Sequence, residues 1–285
     1  MKLRALFATI GVAAIAATGL TACGSEDTIK IGTTDSAKKA WQVYEKKAQE
    51  AGINLTVQDF SDYNTPNDAL AQGQLDVNLF QHLKFLANYT AGTGQKLTPV
   101  GSTEVVPLAL FWKDHSSLDG IEGKSVAIPN DSTNQGRAIN VLVQAGLITL
   151  KKKDTLDPTP ADIDAGSSKV TVTPVEAAQS PVAYGEGQPA IINNSFLDRA
   201  GIDPKTSVFQ DDPSSASAEP FINVFVTREE DKDNDKIAKL VELWHDPDVQ
   251  AAVAEDSKGT SVEVKRSPEE LQQILHKLEE SATSK

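Results

Sequence analysis

TIKIGTTDSAKKAWQVYEKKAQEAGINLTVQDFSDYNTPNDALAQGQLDVNL, residues 28–79, decides the fold class. It opens on a short strand pattern at residues 28–33. Ala37, Ala40, Trp41, Tyr44, Ala48 and Ala51 then recur at helical spacing, and Gly52 follows as a left-handed stop. Ile53, Leu55 and Val57 alternate as a strand does. Thr65-Pro66 opens a second helix, with proline at the first position, where its missing N–H costs nothing. Gly73 closes that helix ahead of a third strand at Leu75, Val77 and Leu79. The order is βαβαβ, which predicts a mostly parallel sheet with helices on both faces.

Beyond this stretch the series continues with a helix over residues 83–89 and a strand over 97–100. It restarts at Lys124, with strands expected at residues 125–128, 170–174 and 190–192 and helices at 134–145 and 175–184. The apolar segments 105–112 (VVPLALFW) and 221–227 (FINVFVT) bracket this second series and are read as crossovers between two lobes. Two more helices are expected at 236–244 and 268–280, returning to the first lobe. The expected fold class is therefore α/β, with two lobes, each a mostly parallel sheet flanked by helices, joined by two crossover strands. Lobe 1 spans 28–106, lobe 2 spans 107–221, and residues 222–285 form the return. In such sheets ligands bind beyond the carboxyl ends of the strands, here in the cleft between lobes.

The first 27 residues carry a different signal. Lys2 and Arg4 precede an apolar, charge-free run over residues 5–20, too short for a comfortable membrane span. The run ends in Leu20-Thr21-Ala22-Cys23. This pattern resembles a bacterial lipoprotein signal, cleaved before a cysteine whose thiol carries a diacylglyceryl group, and Cys23 is the only cysteine in the chain. Two acyl chains suffice for stable anchoring. The expected location is the cell membrane, lipid-anchored on the extracytoplasmic side, with residues 1–22 removed and 23–27 as lipidated Cys and tether.

Composition narrows the function classes. The 285 residues hold 40 Asp and Glu against 27 Lys and Arg, a formal charge of −13 that repels a phosphate backbone and argues against nucleic acid. One cysteine permits neither an intramolecular disulfide nor a cysteine-based zinc site. His82, His115, His245 and His276 show no paired metal spacing, and no G-x-S-x-G nucleophile elbow occurs. Gly123-Lys124-Ser125 lacks the earlier glycine of a P-loop, and the glycines at 185 and 187 precede a strand instead of a helix. No metal or cofactor is expected.

What remains are residues suited to binding. Phe60 to Asn67 (FSDYNTPN) and Phe80-Gln81-His82 fall on loops at strand ends. Arg137 sits in the first turns of a helix whose start is marked by Asp, Ser and Thr caps, which suits a carboxylate ligand, although a surface arginine or a structural salt bridge is the commoner role for a single arginine. Asn193 and Asn223 interrupt apolar strand patterns, and a buried Asn is bonded either to local backbone or to a ligand.

Together with the lipobox, the motifs F-S-D-Y-x-x-P-N (60–67), F-Q-H (80–82), I-P-N-D-x-T-N-x-x-R (128–137), I-N-N (192–194) and I-N-V-x-V-x-R-E-E-D (222–231) closely resemble the methionine-binding lipoproteins of ABC importers, the NlpA type. The resemblance is colinear over residues 29–253. It implies a monomeric binding protein that captures methionine between two lobes and delivers it to an ABC permease with a separate ATPase subunit. It further implies that Tyr63, Phe80 and His82 line a slot for the thioether, that Arg137 holds the carboxylate, and that Asn193 and Asn223 bind the carboxylate and ammonium ends. Phe85 stands where many relatives have Tyr, removing a hydroxyl from the expected wall. The alternatives are a Met-containing peptide or another amino acid as ligand, an enzyme (lyase or hydrolase) on the same fold with His82 as its candidate acid or base, or a surface adhesin or chaperone-like lipoprotein.

Overall fold

The computed structural model describes residues 28–153, 155 and 157–283. The lipoprotein signal and Cys23 lie outside the described residues. Among the described residues no helix is long and apolar enough to cross a membrane.

The chain first builds β1 (Thr28–Thr33), α1 (Lys39–Glu50), β2 (Asn54–Asp59), α2 (Pro66–Ala71), β3 (Val77–His82), α3 (Leu83–Thr93) and β4 (Leu97–Val105). A second series follows: β5 (Ala109–Phe111), β6 (Ser125–Pro129), α4 (Ser132–Gln144), β7 (Thr171–Val175), α5 (Ser180–Gly185), β8 (Ala190–Ile192) and β9 (Phe209–Gln210). The return comprises β10 (Ile222–Arg228), α6 (Asp235–Trp244), α7 (Pro247–Asp256), β11 (Val262–Glu263) and α8 (Pro268–Thr283).

Two sheets result, in the orders β11-β4-β10-β3-β1-β2 and β7-β6-β8-β5-β9. In the first, β1 is parallel to β2 and β3, while β10 runs antiparallel between β3 and β4. In the second, β6 is parallel to β7 and β8, and β5 is antiparallel to β8 and β9. The two-lobed α/β fold class read from the sequence is the observed one, but the sheets are mixed where mostly parallel ones are expected, because β10 and β5 each enter from the other lobe instead of through a crossover helix.

The two apolar segments read as crossovers are divided differently. Residues 105–112 comprise the end of β4, a three-residue link over 106–108, and β5, while 221–227 lie almost wholly in β10. The second connection is instead the polar stretch 211–221. The reason is burial: β10 has neighbours on both edges, and five of its seven residues are buried because an interior strand of a covered sheet is buried on both faces.

Other departures are local. The helix expected over 175–184 is a 3₁₀ turn at Ala177–Gln179 followed by α5, with Pro181 early in the helix. Helix α7 has no counterpart among the expected helices, because it buries only Val249 and Ala252 and so has little apolar periodicity. Its start is defined by Asp246, which caps the Asp248 N–H at 2.9 Å, and by Pro247. Helix α8 docks through Leu271 and Leu275, which pack in one cluster with Leu83 and Leu86 of α3.

An aromatic cluster holds the first sheet to its helices. Trp41 and Tyr44 of α1 meet Trp244 of α6 at centroid distances of 5.2 and 5.0 Å, with Phe225 of β10 beneath. The Tyr44 hydroxyl donates to the Leu240 carbonyl at 2.9 Å, so this fully buried ring leaves no orphaned oxygen. At Gly101 a Cβ would overlap the Val241 side chain of α6, so glycine here permits the close helix-to-strand approach.

Candidate functional site

Between the two sheets lies a cavity of about 770 Å³, its open mouth included. The structure brings Tyr63, Phe80, His82, Phe85, Arg137, Asn193 and Asn223 together in its walls. They come from strand ends and the first turns of helices, where a βα unit leaves backbone and side chains free to face a ligand.

One end of the cavity is aromatic. Tyr63, Phe80 and Phe85 meet pairwise at 5.8 to 6.0 Å between centroids, and the buried Phe196, from the turn after β8, backs Tyr63 at 4.9 Å. Tyr63 stands on a loop fixed by a buried amide clamp. Asn67 Nδ2 donates to Gln81 Oε1 at 2.8 Å, and Asn67 Oδ1 accepts from Asn78 at 2.9 Å and from Gln81 at 2.6 Å. Thus Asn67 and Gln81 of the sequence motifs are scaffold, holding the loop to β3.

The middle is polar. His82 caps α3, its Nδ1 accepting the Phe85 N–H at 3.1 Å. The proton of the neutral ring therefore sits on Nε2, which is buried with no hydrogen-bond partner among the described residues. Burial, reinforced by the Arg137 charge, pushes the His82 pKa down to about 3. Asn223 of β10 is the cross-strand partner of His82 in β3, so both side chains leave the same face of the sheet.

Opposite, Asp131 caps α4 through the Asn134 N–H at 2.9 Å and takes the Thr133 hydroxyl at 2.8 Å. Burial raises the Asp131 pKa against these hydrogen bonds. The Asn134 side chain donates to Asp131 and accepts from Asn193 Nδ2 at 2.9 Å. That chain of bonds orients Asn193 and leaves its Oδ1 buried and without a partner among the described residues. An acceptor and a donor, each unanswered, thus face the same cavity.

Arg137 adds charge. Its Nε donates to Asp211 Oδ2 at 2.7 Å and its Nη2 to Asp211 Oδ1 at 3.2 Å and the Val106 carbonyl at 2.9 Å. The guanidinium stacks 4.1 Å from the centre of the Phe221 ring, which also touches His82 at 5.2 Å. Arg137 forms a structural ion pair with Asp211 and also lines the cavity.

The third wall carries little signal in the sequence. Lys38 Nζ lies 2.7 Å from Asp35 Oδ2, and Asp35 also accepts from Trp41 Nε1 at 2.9 Å and Thr33 Oγ1 at 2.8 Å. Burial pushes the Asp35 carboxyl up, but Lys38 and these bonds outweigh it and hold it below the usual range. Glu104, beside Trp244 Nε1 at 3.3 Å, is pushed upward by burial. Asp35 and Lys38 follow β1 as an unremarkable polar loop, and only folding sets Glu104 and Trp244 beside them. Phe196 and Phe221 were missed for the same reason, although Phe196 lies just beyond the I-N-N motif. Among the described residues no group of His, Cys, Asp and Glu is placed to hold a metal ion.

Two α/β lobes closing on a cavity with an aromatic end and a polar centre define a solute-binding protein of the two-lobe type. The profile of the NlpA lipoprotein family matches residues 29–265, and the chain belongs to that family. A D-methionine-binding lipoprotein, MetQ, of Salmonella typhi is 35% identical over 266 residues, covering 90% of this chain and 96% of its own. Protein PG110 of Staphylococcus aureus superposes with a TM-score of 0.83 at 35% identity, over 88% of this chain and 100% of that one. A nutrient binding protein from Burkholderia cenocepacia, solved bound to methionine, gives a TM-score of 0.76 at 32% identity, over 83% and 99%. The relatives named for a ligand are binding proteins, not enzymes.

Proposed function

We propose that this protein captures methionine in the inter-lobe cavity and delivers it to an ABC permease. The observation that carries this reading is the pairing of the two unanswered polar atoms, His82 Nε2–H and Asn193 Oδ1, beside one aromatic box. A free amino acid brings one anion, one cation and one side chain. The carboxylate takes Arg137 Nη1, the nitrogen not engaged by Asp211 or Val106, together with the His82 N–H. The ammonium takes Asn193 Oδ1 and the Asn223 amide. The unbranched thioether enters the aromatic end lined by Tyr63, Phe80 and Phe85, where sulfur gains from contacts with ring edges. Each buried charge is answered, as burial demands.

His82 acts as a neutral donor. Its Nδ1 is committed to the helix cap and its ring stays uncharged at neutral pH, so it is poorly suited to supply a proton for turnover. We assign binding without catalysis. ATP hydrolysis belongs to a separate subunit of the transporter.

The anchor is Cys23, carried by two acyl chains on the extracytoplasmic face of the cell membrane. A monomer fits the described surface, where Val182 is the one large hydrophobic residue recorded as exposed. Calorimetric titration of the chain from residue 24, unfolded and refolded to strip carried-over ligand, tests the reading against L-methionine, D-methionine, other amino acids and Met dipeptides. Saturable heat with methionine that vanishes in Arg137→Ala supports it. Silence toward every amino acid sinks it.

A further inference from the structure

Two short segments face each other across the cleft: residues 34–38, which leave β1, and residues 194–199, which leave β8 directly after Asn193. They exchange cations. Lys38 of the first segment donates from Nζ to Asn194 Oδ1 of the second at 2.6 Å. Arg199 of the second reaches back, donating from Nη2 to the Thr34 carbonyl and from Nη1 to the Ser61 carbonyl at 3.3 Å, with Asp59 Oδ2 at 3.8 Å.

The two halves differ in what opening the cleft would remove. Lys38 keeps Asp35, a partner of its own lobe, whether or not Asn194 is near. Among the described residues, the polar partners of Arg199 belong to the opposite lobe, and its own lobe offers the face of Phe196, 5.4 Å away. Interactions made in one state alone are the ones that shift an equilibrium between two states. Phe196 backs Tyr63, which lines the aromatic end of the cavity. Arg199 therefore packs on the ring behind the cavity wall while it grips the other lobe.

We infer that Arg199 is a positioning residue that clasps the closed cleft and sets how long a bound solute stays. The inference rests on the solute-binding reading above. A guanidinium suits the task because its fork addresses two carbonyls at once, where an ammonium meets them as a point charge. Arg199 does not line the cavity, so it acts through closure and not through ligand contact.

Stopped-flow binding of L-methionine, read by tryptophan fluorescence on the chain from residue 23 with Cys23→Ser, tests this against Arg199→Gln and Arg199→Lys. The expected result is a dissociation rate about tenfold faster in Arg199→Gln, as loss of charge-assisted bonds confined to the closed state requires, with association within about twofold. Arg199→Lys falls between, and the ligand-free melting temperature of Arg199→Gln matches that of the parent. An unchanged dissociation rate, or a matching loss of ligand-free stability, overturns the clasp.

If the parent ignores L-methionine, the ligand reading fails by itself and the clasp is read without ligand. Asn64 and Glu176 sit on opposite rims, 2.9 Å apart between side chains. With both replaced by Cys, a short thiol cross-linker reports cleft closure. Arg199→Gln is expected to slow that cross-linking several-fold, and an equal rate overturns the inference.

Discussion

Arg137 and Asp211 pair across the second connection, Nε to Oδ2 at 2.7 Å and Nη2 to Oδ1 at 3.2 Å, with both side chains largely buried. Asp211 also accepts the Leu108 N–H at 2.8 Å, and Arg137 donates to Val106, so the ion pair ties both inter-lobe connections to the start of α4. Removing one partner strands the other. Arg137→Ala is expected to lower unfolding stability by about 3–5 kcal/mol and to abolish methionine binding. Urea unfolding alongside calorimetry separates the effects: Asp211→Asn should lose stability while keeping measurable binding.

His82 makes stability depend on pH. Its folded pKa, down to about 3, lies below an unfolded value near 6.5, so between these the unfolded chain binds the extra proton. Stability is present in full above about pH 6.5 and is lost as pH falls toward 3, with a slope of up to about 1.4 kcal/mol per unit from this group. His82→Gln flattens that component in melts run from pH 7 to pH 4. Between pH 6 and 8 methionine affinity should hold level, since His82 stays neutral.

The aromatic box sets ligand fit. Phe85 touches Tyr63 at 6.0 Å and Phe80 at 5.8 Å, and truncating it opens a void beside the bound side chain. Phe85→Ala is expected to weaken methionine binding about tenfold or more, in line with the cost of losing a packed aromatic. Titration at one temperature measures it, and wild-type affinity in this variant removes Phe85 from the box.

Gly101 is a packing prediction. A Cβ there meets the Val241 side chain, which is stiff because it branches at Cβ. Gly101→Ala should cost about 1–3 kcal/mol through overpacking, and Val241→Ala in the same chain should return part of it. A double-mutant cycle in denaturant reads the coupling, and purely additive effects contradict the geometry.

Much of this molecule is written in local pattern. Alternation at Ile53, Leu55 and Val57, helical spacing through Trp41, Tyr44 and Ala48, and the Asp131 cap before α4 are properties of a few neighbouring residues, and they specify strands, helices and their order. The motif residues Tyr63, Phe80, His82, Phe85, Arg137, Asn193 and Asn223 stand near strand ends or in the first turns of helices, and that much follows from the same patterns.

Tertiary structure alone decided the rest. Strand β10 enters the first sheet antiparallel between β3 and β4, pairing Asn223 with His82 across 141 positions of chain, a choice made by burial on both faces of the sheet. Helix α7, with two buried side chains, has too weak an apolar stripe to announce itself. Phe196, Phe221, Lys38 and Arg199 carry no local signature, because a cavity wall and a cross-cleft clasp are relations between segments distant in sequence. Local sequence fixes backbone preference through sterics and short-range hydrogen bonds. Which side chains meet depends on where the sheets bury their apolar faces, and only the folded chain satisfies that condition everywhere at once.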